Sequence, residues 1–486
     1  MGIARTFAEN AVFQIASNLV LRLSSLFFVV FLAAILSPQE FGTYAWVVGM
    51  ALLAEGIANA GCVETMINFV SKAIAEKSQN AGSYFSYILK TKLFILAIVV
   101  IVMVIFSNQI TSLLVQKPEL SFAFILAAVF LIFYSISTFF RSVFFATKNL
   151  KTVFYLNVFE SVIRIILVIG FVSIVNSSYY AVAGYVLSLA IISVILFFVI
   201  RKNYPFLFKQ ENNFDKKEVN DFRNFLMLTS FATILLPNID FLIISALLPI
   251  ESVGFYRIAV SWATAFGALI PFIMLAPYII DLSAKGKQNL QEGFNSFFKY
   301  NMVFVAPLAF GLSFFSKILL SVFYKQRFEV ASSELLFVLA FLIMFQTSIL
   351  IFSYLFNALK KPKITTFAFI GAIILGIILN YFAITSFGLI GAAYATLATY
   401  IVLFIALFFS VKPVTGIAMH FGNLLKPIIC SALMFGFLFL LPQNSNIVIA
   451  VIYAILAGIF YFVLLLATKT ITISEILHLK NRIINP

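Results

Sequence analysis

Of 486 residues, 63% are hydrophobic, only 10% are charged and 60 are phenylalanine, and lysine and arginine leave a formal net charge of +14. A water-soluble domain of this length needs far more charge to cover its surface. The composition therefore points to an integral membrane protein, with apolar runs too many and too long for barrel strands.

Hydropathy predicts fourteen spans in chain order, near 11–35, 42–69, 83–106, 121–146, 152–175, 179–200, 222–248, 253–280, 296–322, 331–358, 363–383, 386–410, 420–441 and 446–468. Each has the roughly 20 apolar residues that cross the hydrocarbon. The first lacks a small-residue cleavage site and is followed by many more, which makes it a span and not a removable signal. With the N-terminus in the cytoplasm, the inner loops hold Lys72, Lys77, Lys148, Lys151, Arg201, Lys202, Lys209, Lys216, Lys217, Arg223, Lys285, Lys287, Lys360, Lys361, Lys363 and Lys412. The outer loops hold little beyond Lys117, Lys325 and Arg327. This positive-inside bias calls for an even number of spans with both termini cytoplasmic. It also accounts for the net charge, so no nucleic-acid partner is expected. Cys62 and Cys430 sit in apolar runs, and with only His420 and His478 beside them no metal or cofactor is expected.

The longest hydrophilic stretch, residues 201–223, separates the sixth and seventh spans. It carries no Gly-x-x-x-x-Gly-Lys loop, and no nucleophile has a triad-like setting, so no enzyme activity is expected. Across this linker the chain echoes itself. "AILSPQEFGTYAWVV" (34–48) is restated as "ALLPIESVGFYRIAV" (246–260), with Gly42 on Gly254 and Tyr44 on Tyr256. The expected fold is an all-α polytopic membrane protein of about fourteen transmembrane helices, with two six-helix lobes around a central cavity plus two C-terminal helices. Its parts are an N-terminal lobe (1–200), a cytoplasmic linker (201–221), a C-terminal lobe (222–410) and appended helices 13 and 14 with a short tail (411–486). An even number of spans in each lobe makes this a parallel repeat.

Polar residues inside the spans fall on helical stripes. An ionised group there costs roughly 2.5–3.5 kcal/mol on insertion scales, so it normally faces a cavity or a partner. The first span carries Asn18, Arg22 and Ser25; the second carries Glu55, Asn59 and Glu64. The fifth carries Asn157, Glu160, Ser161 and Arg164, with Glu160 and Arg164 four apart and expected to pair. In the seventh, Pro237 is expected to kink the helix beside Asp240. Arg22, Asn18, Arg257, Arg164 and Arg141 are the candidates for a substrate cavity, and Glu55, Asp240, Glu160 and Glu64 for ion coupling. The competing readings are structural: Arg141 on the cytoplasmic rim, Arg257 snorkelling to the outer mouth and Glu64 reaching the headgroups.

The segments "LSPQEFGTYAW" (36–46), "LPIESVGFYRIAV" (248–260) and "FGLIGAAYAT" (387–396) resemble the polysaccharide transporter family. These are the Wzx-type O-antigen and teichoic-acid flippases, in the superfamily that also holds multidrug and toxin extrusion transporters and the lipid II flippase. The resemblance implies a V-shaped pair of lobes that moves a polyprenyl-pyrophosphate-linked oligosaccharide from the inner to the outer leaflet of a prokaryotic cytoplasmic membrane. It implies arginines on the pyrophosphate, for which Arg22 and Arg257 are the candidates by position. Membrane lipids and a membrane glycan polymerase are the implied partners. The alternative within the superfamily is a cation-coupled multidrug exporter. A membrane glycosyltransferase would need a larger extramembrane loop, and a scaffold or scramblase would leave the buried charges without a use.

Overall fold

The structure is a computed structural model that describes residues 2–209, 214–267, 286–324, 326–419, 421–442 and 446–471. The second half of the eighth predicted span, with Lys285, Lys325, His420 and His478, lies outside them. The described residues are helical throughout, without a strand. In chain order the helices are α1 (Gly2–Ile35), α2 (Pro38–Asn59), α3 (Cys62–Ala75), α4 (Ala81–Ile105), α5 (Ser121–Ala146), α6 (Leu150–Ile174) and α7 (Ser178–Asn203). After the linker come α8 (Lys216–Leu235), α9 (Ile239–Leu247), α10 (Ile250–Gly267), α11 (Lys287–Phe314), α12 (Ser316–Phe323), α13 (Gln326–Leu339) and α14 (Leu342–Ala358). The last four are α15 (Pro362–Phe387), α16 (Leu389–Thr415), α17 (Gly422–Leu440) and α18 (Ile447–Ala467).

Ten described helices are long and apolar enough to span a membrane, or twelve if α8 with α9 and α13 with α14 are each one bent span. The chain is thus a multi-pass, all-α membrane protein. Of the remaining predicted spans, one falls on α17, where the apolar stretch Leu424–Leu440 is shorter, and one on α10, which leaves the described residues after Gly267. The bend between α8 and α9 is 49° and falls at Pro237, where a helix loses a backbone donor. The second predicted span is broken. At Ala60 and Gly61 the backbone turns left-handed (φ 44° and 74°), and a Cβ on Gly61 would come within 2.7 Å of the Arg223 carbonyl oxygen. Only glycine combines that torsion with that approach.

Two compact units are present: Met1–Ile258 with Phe369–Ala395, and Ala259–Ala368 with Thr396–Pro486. In the first, α2 is the central helix, buried along most of its length and packed on α4, α5, α7, α8 and α9. The motif that opens it has a mechanical reading. Ser37 caps the helix by accepting from the Glu40 N–H, Pro38 sits where a missing donor costs nothing, and Glu40 reaches the Ser178 N–H at the start of α7 (2.5 Å). Glycines then recur every seven residues. A Cβ on Gly42 would collide with the Ile250 carbonyl, one on Gly49 would press the Phe241 side chain at 3.1 Å, and one on Gly56 would touch Ile234 at 3.5 Å. On the opposite element, a Cβ on Gly254 would lie 3.1 Å from the Gly42 nitrogen. The two glycines that align in the internal echo therefore meet each other, and the echo is a crossing point.

The second unit is held by a cluster of packed phenylalanines: Phe298 stacks on Phe352 (5.6 Å), while Phe352 with Phe404 (5.7 Å) and Phe404 with Phe408 (5.7 Å) are tilted pairs. Such pairs add about 0.5–1.5 kcal/mol each beyond the area they bury. Its appended helices α17 and α18 pack on α11, where the Tyr461 hydroxyl donates to the Val303 carbonyl. With α11 and α12 they line an apolar pocket of about 340 Å³ beside Pro307, Gly311 and Gly458.

Candidate functional site

The polar residues of the first unit sort into three groups. In the first, Arg141 of α5 forms an ion pair with Glu160 of α6 and donates Nη1–H to Asn157 Oδ1 (2.8 Å), while Asn157 Nδ2 donates to Ser17 Oγ of α1 (2.6 Å). The pair is enclosed, with side chains 16% and 6% exposed, so Arg141 belongs to the bundle interior and not to a solvated rim. The expected pairing of Glu160 with Arg164 is not the one formed. The closer cation for Glu160 comes from the neighbouring helix, and a same-helix partner four residues away offers only a few tenths of a kcal/mol in competition. A cavity of about 140 Å³ opens beside this network, lined by Ser17, Asn18, Arg141 and Asn157 with apolar neighbours.

Arg164 turns elsewhere. Its guanidinium donates to the Tyr185 hydroxyl (3.2 Å) and to Ser24 Oγ (3.4 Å), and lies 5.0 Å and 5.2 Å from the centres of the Phe28 and Tyr185 rings. Ring faces carry partial negative charge, so the aromatic pair takes the place of a counter-ion. Arg22, one helical turn after Asn18, is exposed, and it lies within electrostatic reach of Arg257 and Tyr134. Arg257 is half-buried with its guanidinium 5.5 Å from the Phe241 ring centre. Tyr134 lies within electrostatic reach of Arg22 and Arg141, and Tyr44 within that of Arg257 and Arg164. Four arginines and three tyrosines thus form one belt inside a single unit.

The other three acidic candidates are bonded to partners outside this belt. Glu55 of α2, 5% exposed, accepts from Lys92 Nζ of α4 at 2.8 Å, and its second oxygen is buried with no hydrogen bond. Glu64 accepts from Asn59 Nδ2 (3.1 Å) across the break between α2 and α3, a staple for that turn. Asp240 of α9, 4% exposed, accepts from the Tyr256 hydroxyl (2.8 Å) and from Asn380 Nδ2 of α15 (2.9 Å), and the Asn380 Oδ1 beside it is buried without a hydrogen bond. At the far end of α9, Lys117 Nζ donates to the carbonyls of Ser245 (2.7 Å) and Leu248 (2.5 Å), and Trp46 Nε1 donates to Ser245 Oγ (3.0 Å). Burial lowers the Lys117 pKa, and Glu119 and Glu251 oppose that shift.

Lys92 and Asn380 were missed in the sequence. Both carried a signal: Lys92 lies inside a 25-residue apolar helix and Asn380 inside a 26-residue one, each too deep for an idle polar group. Among the described residues no three histidine, cysteine or acidic side chains are grouped as metal ligands.

Known proteins supply an independent comparison. The sequence pattern of the polysaccharide biosynthesis protein family matches residues 7–283, more than half of the chain. An uncharacterized membrane protein of Methanocaldococcus jannaschii is 26% identical over 282 residues, 53% of this chain and 54% of its own. The probable low-salt glycan biosynthesis flippase Agl15 of Haloferax volcanii is 26% identical over 239 residues, 48% of this chain and 49% of its own. The chain spans about half the length of both curated relatives it matches. Among solved structures, the inward closed lipid II flippase MurJ superposes with a TM-score of 0.72 at 20% identity, covering 93% of this chain and 97% of that one. An inward-facing multidrug resistance transporter of the MATE family gives 0.67 at 13% identity, covering 84% and 94%. These likenesses establish the fold that flippases and multidrug transporters share. With the arginine belt lying on helices inside the matched region, and with that region exceeding half the sequence, the chain belongs to the polysaccharide biosynthesis protein family.

Proposed function

We propose that the chain is a flippase carrying a polyprenyl-pyrophosphate-linked oligosaccharide, the unit of an O-antigen or related surface polysaccharide, from the inner to the outer leaflet by alternating access. The observation that carries this reading is Arg22. This residue is exposed on a membrane-spanning helix, lies within electrostatic reach of Arg257 and Tyr134, and is bonded to no carboxylate among the described residues. Two cations within mutual repulsion inside a membrane are tolerable where a wet space and an anion receive them. A pyrophosphate suits them, because planar guanidiniums grip its oxygens in pairs.

In this reading fourteen spans form two six-helix lobes plus the two appended helices, with both termini in the prokaryotic cytoplasm. The sugar and pyrophosphate enter the cavity while the lipid tail stays among the membrane lipids. A membrane glycan polymerase then uses the delivered unit. No covalent step is required, so the chain is not an enzyme. Coupling rests on Asp240, whose carboxylate and the free Asn380 Oδ1 offer oxygens to a small cation. A charge moved through the full field is worth about 2.3 kcal/mol per 100 mV. Glu55 and Glu160 are already neutralised by Lys92 and Arg141 and serve as structural pairs. The alternative, a cation-coupled multidrug exporter, would favour unpaired acids at the site, whereas Arg22 there has no bonded carboxylate among the described residues.

The test is leaflet transfer of a polyprenyl-pyrophosphate oligosaccharide in liposomes. Wild type should transfer it, and Arg22→Ala and Asp240→Asn should both be slow while remaining folded. Efflux of organic cations without lipid transfer would overturn the flippase reading and establish the exporter.

A further inference from the structure

Resting on the flippase reading, we infer that the 140 Å³ cavity between α1, α5 and α6 is a subsite for one uncharged sugar ring of the substrate, distinct from the arginines that meet the pyrophosphate. The argument is electrostatic first. Arg141 lines this cavity, but Glu160 cancels its charge in an enclosed pair, so an anion placed there would meet a carboxylate one residue behind its only cation. Arg22 and Arg164 have no such carboxylate among the described residues, and they stand outside the cavity lining. One helix face therefore offers two environments: net positive at Arg22, net neutral at Asn18.

The polar groups of the cavity suit hydroxyls. Asn18 is half-buried against it, and its amide makes no hydrogen bond to any described residue, which leaves both a carbonyl acceptor and two N–H donors for a ligand. Ser17 Oγ accepts from Asn157 and keeps its own proton for donation. Asn157 is committed at both ends, to Arg141 and to Ser17, and so holds the wall rigid. Leu21, Phe145, Leu150 and Val153 complete the lining with apolar surface, against which the C–H faces of a pyranose pack. Paired donor and acceptor groups beside an apolar wall match a sugar. A phosphate, which accepts without donating, would leave the Asn18 carbonyl without a donor.

The experiment measures binding of two probes to the purified full chain in nanodiscs: a polyprenyl pyrophosphate without sugar, and the same lipid bearing a single hexose. Wild type should prefer the glycosylated lipid by about tenfold, the worth of one or two net hydrogen bonds. Asn18→Leu and Leu21→Trp, the second of which fills the cavity, should each erase that preference. Arg22→Ala should weaken both lipids equally. Equal binding of the two lipids by wild type, or a preference that survives both cavity variants, would overturn the subsite and leave the flippase reading standing. Failure of wild type to bind either lipid would remove both.

Discussion

The buried pair of Glu55 and Lys92 gives the sharpest test of how charge is managed inside this protein. At 2.8 Å, with side chains 6% and 1% exposed, it is cut off from water and from headgroups alike. Replacing Lys92 by methionine keeps the packing volume and leaves a carboxylate alone. Its second oxygen already lacks a hydrogen bond, so Glu55 has no other donor to turn to. Breaking a pair of this kind costs about 3–5 kcal/mol, because the remaining charge stays desolvated. For a unit of this size each kcal/mol moves the melting temperature by about 2 °C, so Lys92→Met should lower it by roughly 6–10 °C. Glu55→Met should do the same. The double variant should not lose the sum. With neither charge present, two well-packed apolar side chains are neutral or stabilising relative to the pair. A heat ramp of the four proteins in one detergent, followed by intrinsic fluorescence, completes the cycle. Additive losses in the double variant would refute the structural-pair assignment and mean that each residue serves a separate role.

Other consequences follow from particular contacts. Gly42→Leu or Gly254→Leu should destabilise by at least about 1–3 kcal/mol in the same heat ramp, because the obstruction is backbone that cannot move aside, whereas Gly170→Ala, with nothing near its Cβ inside α6, should stabilise by up to about 1 kcal/mol. Lys117→Met leaves the Ser245 and Leu248 carbonyls without their donor and should speed hydrogen exchange over residues 245–252. Since burial holds the Lys117 pKa below its ordinary value, the unfolded chain keeps this proton to higher pH. The contribution of Lys117 to stability should therefore rise from neutral to alkaline solution, read as wild type minus Lys117→Met. Asn380→Leu should reduce the cation dependence of transport while leaving affinity for the pyrophosphate lipid intact, measured by titrating sodium and protons in the liposome assay.

What could be read in the sequence, and what could not, divides along a physical line. Span positions and the Pro237 bend depend on local hydropathy and on one missing N–H, and both are properties of a short window. The break at Ala60–Gly61 also lay in a short window, but a long apolar run with one glycine reads as continuous until the neighbouring Arg223 carbonyl is known to press against it. Partner choice is the least local property. Glu160 and Arg164 satisfied the helical spacing for a pair, yet the ion pair formed with Arg141, 19 positions earlier, because the packing of α5 on α6 set the distances. The glycines show the reverse case. Gly42, Gly49 and Gly56 stand seven apart in plain view, and the echo aligned Gly42 with Gly254 before any contact was known. Their meaning needed the fold: a seven-residue glycine stripe marks where a helix lies along its neighbours, and here Gly56 and Gly49 meet the bent pair α8 and α9, which carries Asp240, while Gly42 meets the first turn of α10. Close packing along α2 thus holds Asp240, the carboxylate proposed for coupling, and the arginine belt in one unit. A residue that loosens the glycine crossing should therefore disturb ion dependence and headgroup binding together, although it touches neither.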